Sequence, residues 1–173
     1  MTDIVPPSVR SRMMSGIKGK NSLPEMLVRR MLFAAGYRYR LHRRDLPGTP
    51  DIAMQGKKIA IFVHGCFWHS HQGCKYAKNP TTRADFWAAK LQANVDRDQR
   101  AIERLTAMGW RVLCIWECAT RDHEAAKSVR DNLINWINGN EQFGEINGPL
   151  APTPSRGGRA ASTAHARGEA KNL

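Results

Sequence analysis

The chain has 173 residues, a length suited to one core, since a domain of about 150 residues buries roughly 68 to 70% of its extended surface. Its 27 Lys and Arg against 15 Asp and Glu give a formal charge of +12 and a pI near 10.1, a balance that favours a polyanionic partner. The apolar run at 59–63 is far short of the roughly 20 residues a membrane span needs, and no signal-type apolar stretch follows Met1, so a soluble, cytoplasmic chain is expected.

Residues 1–44 hold ten Lys or Arg against Asp3 and Glu25, and residues 1–21 read as a basic arm for contacting nucleic acid. Ser22-Leu-Pro-Glu25 is a capping box, which predicts a helix over 23–35 ended by Gly36. Residues 37–43 alternate large and basic side chains like a half-exposed strand, and Pro47-Gly48-Thr49-Pro50 is a turn. Strands near 51–54 and 57–63 follow, joined at Gln55-Gly56, so the three runs form a meander. From 82 to 108 the residues Trp87, Leu91, Val95, Ile102 and Leu105 mark an amphipathic helix, which Gly109 ends. The nearly continuous apolar run at 110–116 predicts a buried strand, parallel to a neighbour because a helix precedes it. A last helix over 123–138 carries Ala126, Val129, Leu133, Trp136 and Ile137 on one stripe. The main domain thus spans 22–140 in the order α-β-β-β-α-β-α. From 141, and above all from Leu150, where Pro, Gly, Ala, Ser and Arg dominate, a flexible tail is expected.

Four cysteines in a cytosolic chain argue for metal binding or core packing over a disulfide framework. Phe62-Val-His-Gly-Cys66-Phe-Trp-His69-Ser-His71-Gln-Gly-Cys74 and Trp116-Glu-Cys118 supply a Cys3His set for tetrahedral zinc. Four protein ligands leave no open coordination position, so that site is structural; spacing leaves open whether His69 or His71 belongs to it. Cys114, in mid-strand, reads as a small apolar residue. Phe67 and Trp68 are adjacent aromatics in a loop, of which at least one should be exposed and available to stack on or wedge between bases. Trp87, Met14 and Ile17 are further candidates that also suit packing. Asp51 follows the Pro-rich turn and opens a strand paired with the one ending at Val63, an arrangement in which nucleases of the PD-(D/E)XK group present a metal ligand. The usual Glu-x-Lys is absent, and Val63, His64 and Gly65 stand in its place. A second metal contact would then be a backbone carbonyl such as that of Val63.

Pro47-Gly-Thr-Pro-Asp51, Phe62-Val-His-Gly-Cys-Phe-Trp-His69 and Trp110-Arg-Val-Leu-Cys-Ile-Trp-Glu-Cys118 resemble the very-short-patch mismatch repair endonucleases, over roughly residues 8–140. The resemblance implies an α/β, PD-(D/E)XK-like, three-layer fold with a central mixed sheet, flanking helices and a structural zinc. It further implies a monomer that acts on double-stranded DNA, with magnesium-dependent nicking 5′ to the thymine of a T·G mismatch. By position, Asp51 and the Val63 carbonyl resemble the magnesium ligands and His69 the general base. Glu25 resembles a residue that organises water near His69, and His64 one that supports the scissile phosphate. Zinc falls to Cys66, His71, Cys74 and Cys118. Phe67, Trp68 and Trp87 resemble wedges from the major groove, Met14 and Ile17 wedges from the minor groove, and Lys90 and Asn94 the pair that contacts the mismatch. Two other readings remain at this point: a PD-(D/E)XK nuclease cutting matched DNA, and a zinc-stabilised DNA-binding module without catalysis.

Overall fold

The computed structural model describes Pro6, Ser8, Val9 and residues 19–121 and 123–148. Met14 and Ile17, and the part of the expected tail from 149 onward, lie outside the described residues.

Helix α1 (Leu23–Ala34) starts where the capping box puts it, with the Glu25 N–H donating to Ser22 Oγ at 3.4 Å. It stops at Gly36, whose φ of 84° lets the Tyr37 and Gly36 N–H groups close back on the Leu32 and Phe33 carbonyls, both at 3.0 Å. The sheet has five strands in the order β1 (Arg40–Leu41), β2 (Ile52–Met54), β3 (Ile59–His64), β4 (Arg111–Trp116) and β5 (Phe143–Ile146). The first three are antiparallel neighbours, with a single 3-10 turn at Gln55–Lys57 between β2 and β3; β3, β4 and β5 are parallel. Helices α2 (Ala84–Ala107), α3 (Glu117–Thr120) and α4 (His123–Asn138) complete the chain order.

Successive strand residues point to opposite faces, and the apolar composition of β3 and β4 fills both. Ile59, Ile61, Leu113 and Ile115 meet Val28 and Leu32 of α1 and Val129, Leu133 and Ile137 of α4. Ala60, Phe62, Val112 and Cys114 meet Leu105 of α2 and Trp110. Each fully buried Ile or Leu in these layers contributes roughly 1.5 to 3 kcal/mol, more than local propensity supplies. The result is a mixed open sheet with helices on both faces. No helix among the described residues is long and apolar enough to cross a membrane.

Three features depart from the expected order. The first strand is two residues long, because His42 turns to φ 47° and ends the pairing that 37–43 was expected to make. A single-turn helix, α3, follows β4 directly. The segment expected to be flexible from 141 instead contributes β5, whose Glu145 lies opposite Cys114. Its sequence conceals the strand: only Ile146 is buried, and Gly144 is present because a Cβ there would collide with the Trp136 indole.

Candidate active site

Antiparallel pairing of β2 and β3 brings the residue that enters β2 beside the far end of β3. The Val63 N–H donates to Asp51 Oδ2 at 2.8 Å and fixes that carboxylate at the sheet edge. Burial pushes the Asp51 carboxyl above its ordinary pKa, opposed by the Val63 N–H and reinforced by nearby Glu25. A bound cation would reverse that balance, and the hard oxygen donors here suit magnesium better than a soft metal. Asp51, Val63, His64 and His69 line a cleft of about 260 Å³ together with Asp98 and Arg97, and they recur in an adjoining groove of about 1090 Å³ with Glu25 and Trp68.

His69 sits in the loop after β3, where its Nδ1 lies 2.5 Å from Asp98 Oδ2 of α2. A carboxylate only accepts, so Nδ1 is the donor in this contact, and in the neutral form of the ring the lone pair is on Nε2. His64 stacks on the His69 ring at 3.9 Å with 2° between planes. Burial first, and His69 second, lower the pKa of His64 to about 3, so its imidazole is neutral at physiological pH. On the opposite side Glu25, His42 and Asp51 bring donor atoms within 4.8 Å of one another. Arg29 pairs with Glu25 Oε1 and approaches His42 Nε2 at 2.9 Å.

A second cluster lies behind the cleft. Cys66, His71, Cys74 and Cys118 are buried, and one ligand atom from each lies within 4.8 Å of the others, a donor set and spacing that suit a four-coordinate metal ion. Burial pushes the Cys66 and Cys118 thiols up, which a metal would reverse by binding the thiolates. The surroundings suit thiolates too, with the Cys118 N–H donating to Cys66 Sγ and the Gly148 N–H to Cys118 Sγ, both at 3.3 Å. His71 Nε2–H donates to Asn147 Oδ1 at 3.1 Å, leaving Nδ1, 3.5 Å from Cys118 Sγ, for a metal. Cys114 stands apart, buried in β4, with burial raising its thiol to about 12.

The aromatics between the two clusters pack on each other. Phe67, Trp68 and Trp87 form a triangle with ring centroids 5.0, 5.5 and 6.1 Å apart, all three half-buried, so neither loop aromatic stands free as expected. Lys90 Nζ lies 6.0 Å or less from the Trp68 and Trp87 rings, and Asn94 Nδ2 donates to the Trp68 carbonyl at 2.9 Å.

Residues 2–75 match the family model of the DNA mismatch endonuclease Vsr. The type II nicking enzyme V.XorIIP of Xanthomonas oryzae pv. oryzae is 45% identical over 135 residues, 78% of this chain and 98% of that protein. The DNA mismatch endonuclease Vsr of Escherichia coli is 38% identical over 148 residues, 84% of this chain and 94% of its own. The chain belongs to the Vsr endonuclease family. A third relative, the type II nicking enzyme V.NmeAIP of Neisseria meningitidis, is 36% identical over 137 residues, 79% and 97% of the two chains.

In this Vsr chain the fold joins Asp51, Val63, His64 and His69 at one cleft, and groups His71, rather than His69, with the three thiols. Glu25 lines the groove with His69, but its carboxylate is engaged by Arg29. The motifs passed over Asp98, Arg29, His42, Asn147 and Gly148. Two left a signal: Asp98 continues the Lys90-Asn94 helix face four residues on, and Arg29 is four residues from Glu25. The other three reach their sites only through tertiary structure.

Proposed function

We propose that this Vsr-family chain nicks one strand of double-stranded DNA 5′ to the thymine of a T·G mismatch, using a PD-(D/E)XK-like centre. The observation that carries this reading is the pairing of His69 with Asp98 at the cleft that Asp51 and Val63 line. Asp51 and the Val63 carbonyl would hold magnesium, which would supply neutralisation of charge on the phosphate under attack. His69 accepts the proton of the attacking water at Nε2, a role in reach of an imidazole near neutral pH. Asp98 holds the ring in the tautomer that leaves Nε2 free. His64, neutral and stacked on His69, supports the phosphate as a hydrogen-bond partner. The buried Cys3His set fits structural zinc. Phe67, Trp68 and Trp87 act as wedges and Lys90 and Asn94 as mismatch contacts; wedge insertion costs a few kcal/mol per base step, and a wobble pair lowers that cost.

The test is to incubate the full chain with magnesium and an end-labelled duplex carrying T·G or T·A, and to map the cut. A single nick 5′ to the mispaired thymine, lost in His69→Ala while duplex binding remains, is expected. Equal cutting of the T·A duplex would make the chain a sequence-specific nuclease instead, and binding without any cutting would make it a DNA-binding module.

A further inference from the structure

We propose that His42 is a positioning residue for Asp51, its Nδ1–H orienting the carboxylate from the side opposite Val63. The inference rests on the reading of Asp51 as the metal ligand of the cleft.

His42 follows β1 with a φ of 47°, a left-handed conformation uncommon for a residue with a side chain. In that conformation its N–H donates to the Asp51 carbonyl at 3.2 Å. Its ring lies between two carboxylates, with Nε2 3.2 Å from Glu25 Oε1 and Nδ1 3.7 Å from Asp51 Oδ1. Arg29 decides which nitrogen carries the proton. A guanidinium can only donate, and its Nη2 lies 2.9 Å from Nε2, nearer than the Glu25 Oε1 at 3.2 Å that would draw a proton there, so a neutral ring accepts from Arg29 and holds its proton on Nδ1, facing Asp51. Arg29 is itself buried and anchored, through Nη1 to Asn21 Oδ1 at 2.8 Å and through Nη2 to Glu25.

Asp51 is therefore held by two hydrogen bonds, Oδ2 by the Val63 N–H and the carbonyl by the His42 N–H, while Oδ1 faces the His42 ring at 3.7 Å, a gap that a small inward shift of the ring would close. The guanidinium beside Nε2 and Glu25 opposes a cation at that end. His42 thus acts through Asp51 and is not itself a metal ligand. Backbone strain kept at a position that binds a candidate ligand through the main chain and turns its ring toward the same carboxylate is what a positioning role requires.

Two substitutions suit the left-handed backbone and so keep the fold: His42→Gly removes the ring, and His42→Asn puts an amide N–H where Nδ1 stands. Binding of Mn2+ to the full chain, followed through the free-ion electron paramagnetic resonance signal, is measured beside the Mg2+ concentration that half-saturates single-turnover nicking of a T·G duplex. His42→Gly is expected to weaken Mn2+ binding roughly tenfold or more and to raise the half-saturating Mg2+ by a similar factor, with the rate at saturating Mg2+ near that of the parent. His42→Asn is expected within about threefold of the parent on both measures, since the donor is restored. Parental Mn2+ binding by His42→Gly, or an equal loss in both variants, overturns the inference. Asp51→Asn separates the two readings. If it loses Mn2+ while His42→Gly keeps it, only the positioning role falls; if Asp51→Asn itself binds Mn2+ as the parent does, the metal-ligand reading falls as well.

Discussion

The two nitrogens of His69 have different neighbours, and the proposed chemistry depends on the difference. Nδ1 meets Asp98 at 2.5 Å, which leaves Nε2 as the nitrogen available for proton transfer in a cleft that Asp51 also lines. Asp98→Asn removes the charge and offers an amide N–H to Nδ1, which moves the ring proton to Nε2 and blocks proton acceptance. General-base catalysis contributes typically 10²- to 10⁴-fold, so nicking by Asp98→Asn should fall by about 10²-fold or more with duplex binding retained. Single-turnover rates and binding isotherms measured together check this, and an unchanged rate would detach Asp98 from the chemistry. His64, in contact with the same ring, gives a pH effect of fixed sign. Its pKa is about 3 in the fold against 6.5 when unfolded, so between these values the unfolded chain binds the extra proton. The stability this neutral imidazole contributes is complete above pH 6.5 and is lost as pH falls toward 3, with an upper bound of about 5 kcal/mol. Denaturant titrations of His64→Phe across that window should show a shallower acid loss than the parent; identical slopes would mean that His64 is protonated in the fold.

The loop between β3 and α2 has little secondary structure of its own, and its order comes from side chains that converge behind the cleft. Cys66, His71 and Cys74 lie on the loop and Cys118 on α3, so a metal ion there would fasten the loop to the end of β4. Removing it with a chelator, or replacing Cys74 by Ala, should cost several kcal/mol and abolish nicking, because His69, Phe67 and Trp68 sit on the same loop. Cys114→Ala, with its thiol in the sheet core, should keep the metal and lose only the roughly 1 to 2 kcal/mol of a small cavity. Elemental analysis and melting curves of the two variants check the contrast: equal metal loss would put Cys114 in the site. Elements set by local chemistry were legible in the sequence. The Ser22 cap, the Gly36 stop and the α2 stripe were readable because each depends on neighbours within a turn or two. The metal-type cluster was readable because cysteine and histidine have few other uses. Strand β5 was not, since Phe143 and Glu145 face outward and the strand exists through its ladder with β4. Asn147 and Gly148 were hidden for the same reason, as they reach His71 and Cys118 only after β5 has docked.

The whole molecule separates two ways of holding its substrate. Its charge of +12 acts on any polyanion at a distance and carries no information about a mismatch. The aromatic triangle of Phe67, Trp68 and Trp87 carries no charge; Trp68 lines the groove with Lys90 beside its ring, and in the proposed function the rings sense how readily a base step opens. If the charges provide affinity and the rings provide discrimination, salt and ring removal should act on different quantities. Raising salt from about 50 to 200 mM should weaken binding to T·G and T·A duplexes in parallel, on the order of 10³-fold for a protein that neutralises six or so phosphates. Trp68→Ala should leave that salt slope unchanged and reduce the preference for T·G roughly tenfold, the size of one lost base–aromatic stack. Binding isotherms for both duplexes at three salt concentrations decide the matter. A Trp68→Ala variant that keeps its preference but shows a shallower salt slope would place discrimination in the phosphate contacts, and the triangle would then serve only to pack the loop.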